Sequence, residues 1–115
     1  MNHQQFLQLL TDKFPEVVCQ ISDYAQGLLH CEIADFRRVV ESAMDRTELW
    51  RVEQYLRFVD DCRQVADLEL ANAIDVSFLE DFALGDLTEA RRQAVRERMP
   101  DRLRERVIFV NNRWR

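Results

Sequence analysis

Residues 28–65 read LLHCEIADFRRVVESAMDRTELWRVEQYLRFVDDCRQV, and this stretch predicts the fold. Its first half has apolar residues at every third or fourth position, the spacing of one helical face: Leu29, Ile33, Phe36, Val40 and Ala43. Its second half has a broader apolar stripe: Leu49, Val52, Tyr55, Leu56, Phe58, Val59 and Cys62. A stripe of this width predicts a central helix that is buried on two sides.

Residues that commonly cap helices indicate where further helices begin. Four of them precede segments whose apolar residues recur at helical spacing: Asn2, Asp45, Asp67 and Asp86. In three cases a Gln or Glu follows three residues later and completes a capping box: Gln5, Glu48 and Glu89. Pro15 predicts the end of the first helix and the start of a short second one.

The last third of the chain predicts three more helical segments. The segment after Asp67 has one apolar face: Leu68, Ala71, Ile74, Phe78 and Phe82. Asp75 is a second candidate cap, which would start a separate helix at Phe78–Leu84. The segment after Pro100 fits a helix, although the run Val107–Val110 also fits a strand. We favour the helix, because a lone strand would have no evident partner.

Composition places the chain in the all-α class. Two glycines and two prolines in 115 residues are too few for the frequent turns of an all-β protein. The length is typical of one domain with one core, so we expect a single helical domain over residues 1–115. The expected architecture is a compact bundle of six to seven helices in antiparallel pairs, or a slightly solenoid-like stack of such pairs.

The sequence predicts a cytoplasmic protein. It contains no apolar run of about 18 residues, so we expect no membrane span. The first residues, MNHQQFLQLLTDKF, do not resemble a secretion signal. An odd number of cysteines at irregular spacing (Cys19, Cys31 and Cys62) is typical of reduced thiols rather than of a disulfide framework.

Catalytic, cofactor and metal sites are not indicated. His30, Cys31 and Glu32 form the only local cluster of ligand-type residues, and neighbours on a helix point about 100° apart. The sequence allows a catalytic dyad of Cys62 with His30. Cys62, however, lies on an apolar face, which does not favour a thiolate. With Gly27 and Gly85 as the only glycines, the chain has no phosphate-binding loop. We therefore expect a protein that is not an enzyme and that carries no cofactor.

Charge is distributed unevenly along the chain. Residues 1–90 hold 18 of the 21 acidic and 7 of the 16 basic residues, whereas residues 91–115 hold the other 3 and 9. The acidity is densest at residues 60–89, where nine carboxylates accompany one base, Arg63. A patch of this kind repels nucleic acid and attracts a basic protein, although it also fits an ordinary solvated face.

The acidic segment predicts a protein-binding surface. Its candidate carboxylates lie around the predicted fourth and fifth helices: Asp60, Asp61, Asp67, Glu69, Asp75, Glu80 and Asp81. Trp50 and Tyr55 are candidate aromatic anchors, and either could belong to the core instead. The Arg-rich end allows two interpretations. Its helices could pack back on the acidic ones, or they could contact an acidic partner or RNA.

The segment Asn72-Ala73-Ile74-Asp75-Val76-Ser77-Phe78-Leu79-Glu80 resembles a motif of a small acidic all-α bacterial family. In that family an acidic helix precedes an N-A-(I/V)-x-V-S-(F/Y)-L-E segment. The residues around His30–Phe36 and Pro100–Trp114 are similar as well. Members resemble immunity proteins of polymorphic and contact-dependent toxin systems. The resemblance implies a protein that neutralises a cognate toxin domain, whose active-site cleft we expect to be basic, and it implies no catalytic residue.

Overall fold

The computed structural model describes residues 1–80, 82 and 88–110. The described part of the chain forms seven α-helices: α1 (His3–Lys13), α2 (Pro15–Val18), α3 (Leu29–Asp45), α4 (Leu49–Gln64), α5 (Leu68–Ala73), α6 (Glu89–Arg98) and α7 (Asp101–Val110). A short 3-10 turn covers Asp23–Ala25, and a π-helical segment, the π segment, continues α5 over Ile74–Glu80. No strand occurs among these residues, so the predicted all-α class is confirmed.

The pair α3 and α4 forms the centre of the bundle, as residues 28–65 predict. The apolar stripe of α3 is buried along its length, and Val52, Leu56 and Val59 of α4 are each at most 2% exposed. One face of α4 packs on α3, and α4 also contacts α6 and α7, which confirms burial on two sides. Phe36 of α3 links α4 to the π segment, because its ring contacts Tyr55, Phe58 and Phe78 with centroids 5.5–6.0 Å apart.

Two of the predicted helix starts are confirmed by their hydrogen bonds. Asn2 and Gln5 form a full capping box, in which the Gln5 backbone N–H donates to Asn2 Oδ1 at 2.8 Å. Asp67 caps α5, since its carboxylate accepts the Leu70 N–H at 2.9 Å. The start of α6 is capped by Thr88, and the predicted cap Asp86 lies outside the described residues.

The predicted capping box at Asp45 is wrong, because the backbone closes this turn in another way. Asp45 is the last residue of α3, and the next three residues form a Schellman motif. In that motif the Glu48 N–H donates to Ala43 O and the Thr47 N–H donates to Met44 O, both at 3.0 Å. Thr47 holds the left-handed position with φ 57°, where glycine is the usual residue.

Thr47→Gly is therefore expected to raise the free energy of unfolding by about 1 kcal/mol, since a β-branched residue is strained at positive φ. Urea unfolding followed by circular dichroism measures this change. Gly27→Ala is the control, and it is expected to lower the free energy of unfolding. Gly27 has φ 85°, and a Cβ there would meet no atom within 4 Å, so any loss of stability comes from the backbone. A Thr47→Gly protein that is less stable than the wild type would contradict the inference of backbone strain at Thr47.

The predicted apolar face after Asp67 is confirmed at Ile74, Phe78 and Phe82, which are buried, but not at Leu68 and Ala71. The other buried residues of α5 and the π segment are Leu70, Ala73, Ser77 and Leu79. Leu68 was expected on the buried face but is 91% exposed, because Leu70, Ala73 and Ile74 face the core and Leu68 lies on the opposite side of the helix. Asp75 does not start a separate helix. It lies within the π segment, and the far end of the predicted helix Phe78–Leu84 lies outside the described residues.

The last described segment is the helix α7, so the strand alternative for Val107–Val110 is wrong. Leu103 and Val107 are at most 1% exposed and attach α7 to the bundle. The helix contacts both α4 and the π segment, which brings the basic end of the sequence against its acidic part.

Candidate protein-binding surface

Two of the seven predicted interface carboxylates are engaged inside the bundle by arginines. Asp60 is 6% exposed, and Arg102 Nη2 of α7 donates to its Oδ2 at 2.8 Å. Burial raises the pKa of Asp60, although the charge of Arg102 opposes the shift. This pairing withdraws Asp60 from the surface that a partner would meet.

Asp75 lies between two guanidinium groups. Arg63 of α4 donates from Nε to Oδ1 at 2.7 Å and from Nη2 to Oδ2 at 2.9 Å. Arg106 of α7 donates from Nε to Oδ1 at 3.2 Å and from Nη2 to Oδ2. Burial alone would raise the pKa of Asp75, but these hydrogen bonds and charges outweigh it and hold the pKa below its usual value. The interpretation that the Arg-rich end packs internally is thereby confirmed for Arg102 and Arg106.

The two predicted aromatic anchors have different positions. Tyr55 belongs to the core: it is 1% exposed, its hydroxyl donates to Glu16 Oε2 at 2.8 Å, and Phe14 packs on it edge to face. Trp50 is 59% exposed, with the Arg51 guanidinium 4.9 Å from its ring centre. Trp50 lies at the start of α4, so the helix rise places it about 22 Å from Val65, the residue that follows the other end.

Four predicted carboxylates remain on the surface: Asp61, Asp67, Glu69 and Glu80. Asp67 and Glu69 lie in the first turn of α5, and Glu80 ends the π segment. Asp61 lines a groove of about 550 Å³ whose other residues include Arg57, Arg98 and Arg104, so its surroundings are of mixed charge. Asp81 lies outside the described residues. Among the residues that the structure describes, the carboxylates at the start of α5 are therefore the clearest acidic feature.

Exposed apolar side chains, which the sequence interpretation missed, accompany these acids. Leu68, Val65 and Val76 are 91%, 58% and 41% exposed. Leu68, Asn72, Val76 and Glu80 follow one another at intervals of four residues, so they share the side of α5 and the π segment that faces away from the core. We call Val65, Leu68, Asn72 and Val76, with the flanking Asp67, Glu69 and Glu80, the α5 outer face.

A second apolar stripe in the sequence is the signal that could have revealed this face. Leu70, Ala73 and Ile74 also follow helical spacing, and they form the buried stripe. Leu68 then lies on the solvent side of the helix and does not pack against the core. Scattered surface leucines are common in proteins, but this one adjoins Val65 on the other side of a two-residue turn.

The residues considered as metal ligands or as a catalytic dyad are held within the fold. His30 Nδ1 lies 2.7 Å from Ser77 Oγ, whereas Cys62 is 1% exposed. Burial raises the pKa of Cys62 to about 12, so its thiol is protonated at neutral pH. Glu32 is buried, and its carboxylate accepts the Gly27 N–H and contacts His3. Among residues 1–80, 82 and 88–110, no three His, Cys, Asp or Glu side chains are grouped so as to hold a metal ion.

The surface and the fold together define a small helical protein with an apolar, acid-flanked face. In the part of the chain that the structure describes, no helix is long and apolar enough to cross a membrane. The chain belongs to the family described as "Domain of unknown function (DUF7674)", whose model matches residues 7–115. No curated protein and no solved structure matches it.

Proposed function

We propose that this protein is a non-enzymatic, cytoplasmic immunity protein that binds and neutralises a cognate bacterial toxin through the α5 outer face. The observation that carries the proposal is the exposure of Leu68, 91%, between the carboxylates of Asp67 and Glu69. An apolar centre flanked by charge is the composition of a protein-binding site, in which a few apolar anchors supply affinity and the charged rim supplies rate and specificity.

The acidic rim complements the expected chemistry of the partner. Toxins that act on nucleic acids or nucleotides need basic clefts, and an acidic helical surface competes for such a cleft by charge. The segment that resembles the immunity-type family also contributes to this face, because its positions Asn72, Val76 and Glu80 point outward. The resemblance and the exposed face therefore support the same region of the chain.

The adaptor alternative, in which the Arg-rich end contacts an acidic partner or RNA, has weaker support. Arg102 and Arg106 are engaged with Asp60 and Asp75, so two of the arginines that would contact phosphate are already neutralised. Binding to RNA by this route would compete with those ion pairs for the two guanidinium groups.

Co-expression with the C-terminal domain of a toxin encoded beside this gene tests the proposal. We expect the two chains to purify together, and Glu69→Lys/Glu80→Lys to weaken binding about 100-fold at low salt, chiefly by slowing association. Surface plasmon resonance at several salt concentrations measures both rates.

Asp23→Lys/Asp45→Lys is the matched control, since it changes the net charge equally at exposed positions away from α5. The proposal is refuted if the control weakens binding as much as the α5 variant does. It is also refuted if no toxin domain purifies with the wild-type chain.

A further inference from the structure

A shallow groove on α1 adjoins the α5 outer face. The groove has a volume of about 470 Å³, and it is lined by Met1, Gln5, Gln8, Leu9 and Asp12. These residues occupy the side of α1 opposite Phe6 and Leu10, which are buried in the core. From Met1 to Asp12 the groove extends about 16 Å, which is three helical turns.

Backbone hydrogen bonds join this groove to the turn between α4 and α5. The Asp67 N–H donates to Met1 O at 2.7 Å, and the Met1 nitrogen donates to Val65 O. Met1, at one end of the groove, is thus fixed by Val65 and Asp67, three positions and one position before Leu68. The groove and the α5 outer face therefore meet at this turn and can be covered by one partner element.

The chemistry of the combined surface specifies its occupant. Met1 and Leu9 supply partly buried apolar area in the groove, and Leu68 supplies exposed apolar area beside it. Asp12, Asp67 and Glu69 place carboxylates along the margins. An element that fits needs an apolar face bordered by lysine or arginine.

That element must satisfy its own backbone hydrogen bonds. The described residues present helices and no strand edge, so an extended peptide would find no ladder of backbone partners here. A helix satisfies its backbone internally and places its anchors three to four residues apart, which suits a groove along a helix.

We propose that the α1 groove and the α5 outer face together bind one basic amphipathic helix of the partner. Its apolar residues cover Met1, Leu9 and Leu68, and its lysines or arginines lie opposite Asp12, Asp67 and Glu69. This inference rests on the proposed function and adds the form of the toxin segment that is recognised.

The test uses the full chain and two synthetic 18-residue helical peptides with the same leucine pattern, one with lysine and one with glutamate at the polar positions. Titrations followed by ¹H–¹⁵N NMR are expected to show shifts for the lysine peptide alone. The shifts should be confined to the outer side of α1 and to residues 65–76. Gln8→Lys, which places a positive charge in the groove, is expected to weaken binding of the lysine peptide at least tenfold.

Gln20→Lys is the matched control, since Gln20 is also exposed but lies just after α2, outside the groove. Equal binding of both peptides, shifts centred on α6 or α7, or equal effects of the two glutamine variants would overturn the inference. Shifts at the same residues that appear on concentrating the protein without peptide would assign the surface to a second copy and overturn it too. If the toxin domain binds, and Glu69→Lys weakens its binding while Gln8→Lys does not, the helix inference fails while the proposed function stands.

Discussion

Asp75→Ala is expected to lower the free energy of unfolding by about 2–3 kcal/mol. The Asp75 side chain is 13% exposed and compensates two arginines, so its removal leaves both guanidinium groups partly desolvated without a counter-charge. The cost lies below that of a fully buried pair, because Arg63 and Arg106 keep 26% and 33% of their side-chain area exposed. Urea unfolding at pH 7, followed by circular dichroism, measures the change.

The dependence of this effect on pH identifies its cause. The folded-state pKa of Asp75 lies below its unfolded value, so its stabilisation is fully present above about pH 4 and is lost as the pH falls through the folded pKa. The stability difference between the wild type and Asp75→Asn should therefore shrink between pH 7 and pH 3. Asp61→Asn is the control, since Asp61 is exposed, and it should change stability by less than about 0.5 kcal/mol. An Asp75→Asn difference that is the same at both pH values would contradict the ionic account.

The ion pairs of α7 also determine what surface remains for a partner. Arg106 connects α7 to the π segment through Asp75, and its guanidinium lies 4.6 Å from the ring centre of Phe109. Arg37 of α3 donates to the carbonyl of Ser77 at 2.8 Å and holds the same segment from the other side. The position of Val76 on the α5 outer face therefore depends on both contacts. Arg106, in the basic end, therefore supports the segment that carries the proposed binding surface.

The sequence predicts the helical framework well, because local spacing determines it. The stripe from Leu29 to Ala43 is buried as predicted, and so is the broad stripe of α4 except for the half-buried Leu49, since a helix with one apolar side has one stable orientation towards a core. The turn between them was mispredicted. A capping box and a Schellman motif compete for the same residues, and only the backbone conformation of Thr47 decides between them.

The candidate site is harder to predict, because its definition depends on pairing between distant residues. Asp60 and Arg102 are 42 positions apart, and Asp75 and Arg106 are 31 apart. Counting charges along the chain cannot show which carboxylates these arginines neutralise. Leu68 was missed for a local reason: two apolar stripes overlap in α5, and the stripe through Leu70, Ala73 and Ile74 is the buried one.

Leu68→Asp is expected to weaken binding of the toxin domain about 30-fold or more, the effect of losing a central apolar anchor worth about 2 kcal/mol. The direction of the change distinguishes two accounts of the surface. If charge alone governed binding, an added carboxylate would strengthen the association with a basic cleft. If Leu68 is an anchor, the same substitution weakens the association despite the added charge.

Folding does not confound this comparison. Leu68 is 91% exposed and loses no packing, and an aspartate in the first turn of α5 interacts favourably with the helix dipole. The stability of Leu68→Asp should therefore stay within about 0.5 kcal/mol of the wild type. Trp50→Asp is the matched variant at the other exposed candidate anchor, at the opposite end of α4 from Val65. Isothermal titration calorimetry of both variants measures the affinities. A large loss for Trp50→Asp with none for Leu68→Asp would move the interface to the start of α4, whereas the reverse supports the α5 outer face.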